Sequence, residues 1–181
     1  MADSSRAQKL DLVFQHIRNV PDFPIEGIVF KDICPILKEP KALAAVMDLF
    51  EEHVRQNHPH TELIVGLEAR GFLFGPLLAQ RLGIGFVLVR EKGKLPGPTM
   101  SVEYTLEYAT AEVEIQVDAV DPGQKVLVID DLLATGGTLC AACELMKKQK
   151  AQVLGCLVVI ELKDLRGAEK LPVPVFSLLQ C

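Results

Sequence analysis

The sequence predicts an α/β domain, a mostly parallel β-sheet flanked by helices. Short apolar runs recur at 62–66, 85–90, 126–130 and 153–162, with little of the alternation of a half-exposed strand, so both faces are covered. Segments of helical apolar spacing stand between several of them, the strand–helix order that builds parallel sheets. At 181 residues, with 49% hydrophobic and 24% charged, the chain can bury a core without staples.

Leu10, Val13, Phe14 and Ile17 fall at i, i+3, i+4 and i+7 and predict an N-terminal helix, with Asp3, Ser4 and Ser5 as caps. Residues 21–35, PDFPIEGIVFKDICP, are punctuated by prolines and a glycine and read as extended and irregular. Leu43, Val46, Met47, Phe50 and Val54 predict a second helix beginning after Pro40. The strand at 62–66 leads into a glycine-led helix ending at Gly83, and 85–90 is the next strand. Residues 91–101, EKGKLPGPTMS, have two glycines, two prolines and no periodicity, which predicts a long mobile loop. Alternation at 102–108 and 112–117 predicts an antiparallel pair over that loop. The strand at 126–130 feeds a helix at roughly 138–150, and 153–162 and 173–179 are the last strands. With no repeat or linker, one domain over 1–181 is expected.

A net charge of −5 argues against duplex nucleic acid as a partner of the whole surface. No apolar run approaches the roughly 20 residues of a membrane helix. The opening MADSSRAQKLD lacks the apolar stretch of a signal peptide, and five scattered cysteines read as reduced thiols, so a cytoplasmic protein is expected. Cys140 and Cys143 sit one turn apart in a predicted helix without a second such pair, and read as small packing residues. His58 and His60 lack the further ligands of a zinc site, and His16 and His53 carry no signal.

The most informative stretch is VLVIDDLLATGGT, 126–138. A buried strand delivers Asp130 and Asp131 to the carboxyl edge of the sheet, where open α/β sheets bind ligands. Ala134, Thr135, Gly136, Gly137 and Thr138 then turn into a helix N-terminus, whose free N–H groups and hydroxyls can surround a phosphate. Acceptors for sugar hydroxyls beside donors for a phosphate suit a ribose 5-phosphate. The loop is no triphosphate P-loop, because no Gly-Lys-Ser/Thr follows, and no GxGxxG is present.

This stretch resembles the phosphoribosyl pyrophosphate signature of the type I phosphoribosyltransferases. PDFPIEGIVFKDICPIL, GLEARGFLFG, REKGKLPG and SLLQ follow in order and are similar to the members of that family that act on adenine. The resemblance runs from about residue 9 to the C-terminus. It implies the type I fold, with a small N-terminal hood of about residues 1–35 and a flexible loop over the site. It further implies a Mg²⁺-dependent purine-salvage enzyme, a homodimer, making AMP and pyrophosphate from adenine and phosphoribosyl pyrophosphate.

Residue by residue, the resemblance implies that Asp130 and Asp131 contact the ribose hydroxyls and that 134–138 hold the 5′-phosphate. Arg70, Arg90 and Lys94 would meet pyrophosphate, Arg90 in a site of its own or of the partner subunit. The Glu68–Ala69 peptide is similar to one the family often holds cis. Glu107 would stand beside the imidazole edge of adenine, flanked by Tyr108. Val29 and Lys31 would offer main-chain groups to the base, with Phe30 as an apolar wall; many relatives have arginine in place of Lys31. Glu107, Lys94 and Arg70 are the expected catalytic groups, and Mg²⁺ is expected to be held mainly by substrate and water. Two rival readings are a phosphoribosyltransferase for another base and a regulator that binds the sugar phosphate without turnover.

Overall fold

In a computed structural model of the chain, residues 2–105 and 110–181 are described, and they divide into two units, Met1–Glu52 and His53–Cys181. In the first, α1 (Ala2–Gln15) already includes Asp3, Ser4 and Ser5, so these residues lie within the helix rather than capping it. Of the predicted stripe only Val13 is fully buried; Phe14 is 60% exposed and Ile17 lies beyond the helix end. The N–H groups of His16 and Ile17 donate to the carbonyls of Val13 and Phe14, a tightening that ends the helix two residues short of its pattern.

The segment read as irregular contributes to a two-stranded antiparallel sheet. β1 (Arg18–Pro21) pairs with β2 (Val29–Asp32), Arg18 opposite Asp32 and Pro21 opposite Val29. Four-residue strands are too short to show alternation, and the Asp22 carboxylate closes the connection by accepting the Gly27 N–H at 2.8 Å. A short α2 (Cys34–Lys38) precedes α3 (Pro40–Asn57), which starts at Pro40 and buries Val46, Phe50 and Val54 along one stripe, close to expectation.

The second unit is the predicted sheet. After α3 come β3 (Leu63–Leu67), α4 (Gly71–Leu82), β4 (Gly85–Glu91), β5 (Thr99–Thr105) and β6 (Thr110–Gln116). β7 (Lys125–Leu133), α5 (Gly137–Lys148), β8 (Gln152–Glu161) and β9 (Val175–Gln180) complete it. The strand order is β5-β6-β4-β3-β7-β8-β9. The five strands from β4 to β9 are parallel, and β6 and β5 extend the sheet antiparallel at one edge. Every residue of β3 is buried, as a strand covered on both faces must be. Val65, Val128 and Val158 share a core with Leu139, Ala142 and Leu145 of α5. The opposite face seats the Phe86 ring over Gly66 of β3 and Gly75 of α4, and Phe86 meets Phe72 edge-on.

Among the boundaries that differ from the sequence reading, those of β7 and of the loop after β4 shape the site. β7 continues past Ile129 to Leu133, because β8 stays beside it as far as Glu161, whereas β3 pairs with it only to Ile129. Asp130 and Asp131 are therefore in-strand residues whose β3 flank has opened. The loop after β4 is confined to 92–98, since β5 already begins at Thr99. Its polar groups are taken by Glu114, which accepts from Gly93 N–H (3.1 Å), Leu95 N–H (3.0 Å) and Thr99 Oγ (3.0 Å) and is 3% exposed.

Candidate active site

Where β3 ends and β7 runs on, the chain makes a cleft of about 270 Å³. Its walls are Glu68, Ala69 and Arg70 after β3, Asp130 to Leu133 at the end of β7, and the turn 134–139 into α5. The parallel register supplies the reason: consecutive strands end on the same side, and the gap between β3 and its longer neighbour is left to solvent. Arg70, Asp130, Asp131 and Ala134–Thr138 are thus gathered in one place, as the sequence reading expected.

The two acids differ in environment. Asp131 is 4% exposed and its Oδ2 accepts a charge-assisted hydrogen bond from Arg70 Nε. Asp130 Oδ1 accepts the Asp131 N–H at 2.8 Å. Burial, and after it the charge of Asp131, push the Asp130 carboxyl well above the usual carboxylate range. The doublet therefore sets a carboxyl paired with Arg70 beside one whose ionisation burial and its neighbour oppose.

The turn after β7 is shaped by backbone rather than by side-chain caps. Gly136 has φ +88°, a left-handed conformation, and no side chain caps the start of α5. Among the described residues the first N–H groups of α5 consequently have no side-chain cap, with Thr135 exposed and Thr138 half-buried beside them. From behind, Gly167 presses on the turn. A Cβ on Gly167 would collide with the Ala134 carbonyl oxygen, and one on Gly136 would come within 2.8 Å of the Gly167 oxygen. Leu162 N–H donates to Leu133 O at 2.9 Å just before, so the chain after β8 backs the whole turn.

Arg90 and Lys94 meet at Glu68. Arg90 Nη2 donates to Glu68 Oε1 at 2.6 Å, Lys94 Nζ to the same oxygen at 3.2 Å, and the Glu91 N–H to Oε2 at 2.8 Å. The Arg90 bond foremost, with help from the Glu91 N–H and Lys94, holds the Glu68 carboxyl down to about 2. Lys94 also pairs with Glu91 at 2.9 Å. The Glu68–Ala69 peptide is cis, as the resemblance implied.

Val29, Phe30 and Lys31 lie on β2 in the first unit. Val29 is 54% exposed, Phe30 meets the Phe23 ring edge-on at 5.1 Å, and Lys31 Nζ donates to Asn19 Oδ1 at 2.8 Å. Glu107 and Tyr108 lie outside the described residues. Cys143 is a core residue against the sheet and Cys140 Sγ contacts the Lys170 carbonyl at 3.4 Å, which agrees with packing roles. Sequence reasoning gave no role to the Glu68 side chain, Glu114 or Gly167. Glu68 could have been flagged as an acid two residues from Arg70. Glu114 stands at an outward position of an alternating strand and gave no sign of burial.

The phosphoribosyl transferase domain pattern matches residues 35–178. An adenine phosphoribosyltransferase of Rattus norvegicus is 56% identical over 174 residues, 95% of this chain and 97% of the relative. One of Homo sapiens is 56% identical over 182 residues, 99% of each. Among solved structures, the adenine phosphoribosyltransferase of Saccharomyces cerevisiae, complexed with an imino-altritol bisphosphate and adenine, superposes with a TM-score of 0.93 at 43% identity. That match covers 96% of this chain and 99% of the other. The Giardia lamblia enzyme, complexed with 9-deazaadenine, gives 0.88 at 36% identity over 95% and 97% of the two chains. Near-complete coverage at this identity, on a fold with the same sheet, leaves one assignment: the chain belongs to the phosphoribosyltransferase family, among its adenine phosphoribosyltransferases.

Proposed function

We propose that this chain transfers the 5-phosphoribosyl group of phosphoribosyl pyrophosphate to adenine, giving AMP and pyrophosphate, with the residues of the cleft in the following roles. The observation that carries the reading is that Asp130, Asp131, Arg70 and the turn 134–138 line one cavity at the carboxyl end of the sheet. The N–H groups at the start of α5, with Thr135 and Thr138, take the 5′-phosphate. Asp130 and Asp131 take the ribose 2′ and 3′ hydroxyls, using the oxygens that Arg70 and the Asp131 N–H leave over.

Departure of pyrophosphate from the anomeric carbon builds positive charge on the sugar and negative charge on the leaving group. No protein nucleophile is required; cations must meet the leaving oxygens, and the base nitrogen must stand on the opposite face, so C1′ inverts. Arg70, Lys94 and Arg90 are the cations. Val29 and Lys31 offer backbone groups to adenine and Phe30 a wall. Glu107, flanked by Tyr108, accepts the proton the ring nitrogen loses. The segment 92–98 closes over the reacting atoms and keeps out water that would hydrolyse the activated sugar.

The adjacent carboxyl groups of Asp130 and Asp131 in the cleft suit a hard, oxygen-preferring cation, whose remaining ligands substrate and water would supply. Mg²⁺, when bound with the donor, supplies charge neutralisation at the pyrophosphate. We further place the protein in the cytoplasm as a homodimer. Free cysteines at all five positions suit a reducing compartment, and the exposed Leu73, Leu77 and Leu88 offer apolar surface that a second copy would cover.

Adenine-dependent release of pyrophosphate from phosphoribosyl pyrophosphate tests the reading, with hypoxanthine, guanine, xanthine and orotate as controls. Release with adenine alone is expected. Release with another base would change the substrate, and donor binding without release would make the chain a sensor rather than an enzyme.

A further inference from the structure

Three donors from β4 and the segment after it converge on one carboxylate, and they divide unequally between its oxygens. Among the described residues, Glu68 Oε2 takes the Glu91 N–H alone, while Oε1 takes both Arg90 Nη2 and Lys94 Nζ. The Glu68 side chain is 14% exposed, so this oxygen is a shielded anion shared by two cations. Glu68 also lines the cleft, two residues from Arg70. Arg90 and Lys94 are the cations assigned above to pyrophosphate, and the inference rests on that assignment.

We propose that Glu68 is a positioning residue that stands in for pyrophosphate between turnovers, holding Arg90 and Lys94 through Oε1 and releasing them when the diphosphate group arrives. The anchor on Oε2 is a backbone N–H and need not break, so the exchange is confined to one oxygen. A diphosphate carries more charge and more acceptor oxygens than a single carboxylate and wins the cations. The carboxylate nevertheless competes for them, and that competition lowers the affinity for the leaving group. Product pyrophosphate then departs from a site whose cations already have another partner within reach. The enzyme gives up some donor affinity to avoid trapping its product.

Glu68→Gln removes the charge and keeps an oxygen for the Glu91 N–H. Calorimetry with inorganic pyrophosphate and Mg²⁺ is expected to show binding about tenfold tighter than in the wild type, the size of one charge-assisted hydrogen bond no longer in competition. Pyrophosphate should become a correspondingly stronger product inhibitor, while affinity for ribose 5-phosphate stays the same. A variant damaged only in folding would not gain affinity. Unchanged or weaker pyrophosphate binding in a folded Glu68→Gln protein would overturn the proposal, since the carboxylate would then be presenting the cations rather than competing for them. Should that variant not fold, Glu68→Asp retracts the carboxylate by one methylene and should tighten pyrophosphate by about threefold; no gain would again overturn it. Lys94→Ala in the otherwise wild-type chain separates the two layers. If it leaves pyrophosphate binding unchanged, the assignment of Lys94 to pyrophosphate fails; if it weakens binding and Glu68→Gln brings no gain, only the competition fails.

Discussion

The Asp131 carboxylate is buried on the strand side and paired with Arg70, whose side chain is half exposed. Asp131→Asn therefore leaves behind a solvated arginine rather than a stranded buried charge, and the expected stability cost is about 1 kcal/mol. The catalytic cost should be far larger, because the ribose loses a carboxyl acceptor and Arg70 loses what aims it: kcat/KM for phosphoribosyl pyrophosphate should fall by about 100-fold or more. Wild-type rates in a folded Asp131→Asn protein would remove the residue from the site. Asp130 and Glu68 make opposite pH predictions. Glu68 is depressed to about 2 from 4.5, so the folded chain binds fewer protons there; that contribution is present above 4.5 and lost as pH falls towards about 2. Asp130 is raised by burial and by Asp131, so its ionisation costs stability as pH rises above 3.8. Denaturant titrations across this range should find the acid loss flattened in Glu68→Gln. Asp130→Asn should be more stable than the wild type at pH 7 and less active, the trade expected where binding requires a crowded acid pair.

At the scale of elements, the turn 134–138 depends on a chain segment about thirty residues away. Gly167 touches the Ala134 and Gly136 backbone so closely that a single methyl cannot be added. Gly167→Ala should push the turn forward, raising KM for phosphoribosyl pyrophosphate about tenfold while KM for adenine changes little; equal changes in both would make Gly167 a stability position only. This contact also shows what a sequence conceals. The acids and the glycine turn were legible because one uninterrupted stretch, 126–138, encodes strand, carboxylates and helix start together. Gly167 was not, since its meaning comes from β8 running beside β7 as far as Leu133 and returning the chain behind the turn. Glu114 was hidden for another reason. Alternation along β6 sets Glu112, Glu114 and Gln116 on one face and says nothing about a loop covering that face. The hairpin of β1 and β2 escaped because its pairing is carried by backbone bonds and an Arg18–Asp32 ion pair, not by an apolar period.

For the whole molecule, the sheet order matters more than the sheet class that periodicity predicts. Placing β3 between β4 and β7 brings Glu68 and Arg70, Arg90 at the end of β4 with Lys94 after it, and the acids of β7 to one end of neighbouring strands. The chain carries a net charge of −5, so it offers a phosphate no long-range attraction, and affinity has to come from groups in contact with the ligand. Those groups differ between the two ends of the donor. In the proposed reading the turn 134–138 takes its phosphate with backbone N–H groups and hydroxyls and contains no cation, whereas pyrophosphate is assigned to Arg70, Arg90 and Lys94. Ribose 5-phosphate at a hundred times its dissociation constant should stabilise the fold by about 2.7 kcal/mol, raising the melting midpoint of a chain of this length by roughly 5–10 °C. That shift should survive an increase from 50 to 250 mM KCl almost intact, because hydrogen bonds from neutral donors to an enclosed phosphate are weakly screened. The shift produced by pyrophosphate should shrink markedly over the same range, since its partners are partly exposed cations within reach of the salt. Equal salt sensitivity for the two ligands would mean that cations hold both ends, and the neutral phosphate turn would have to be abandoned.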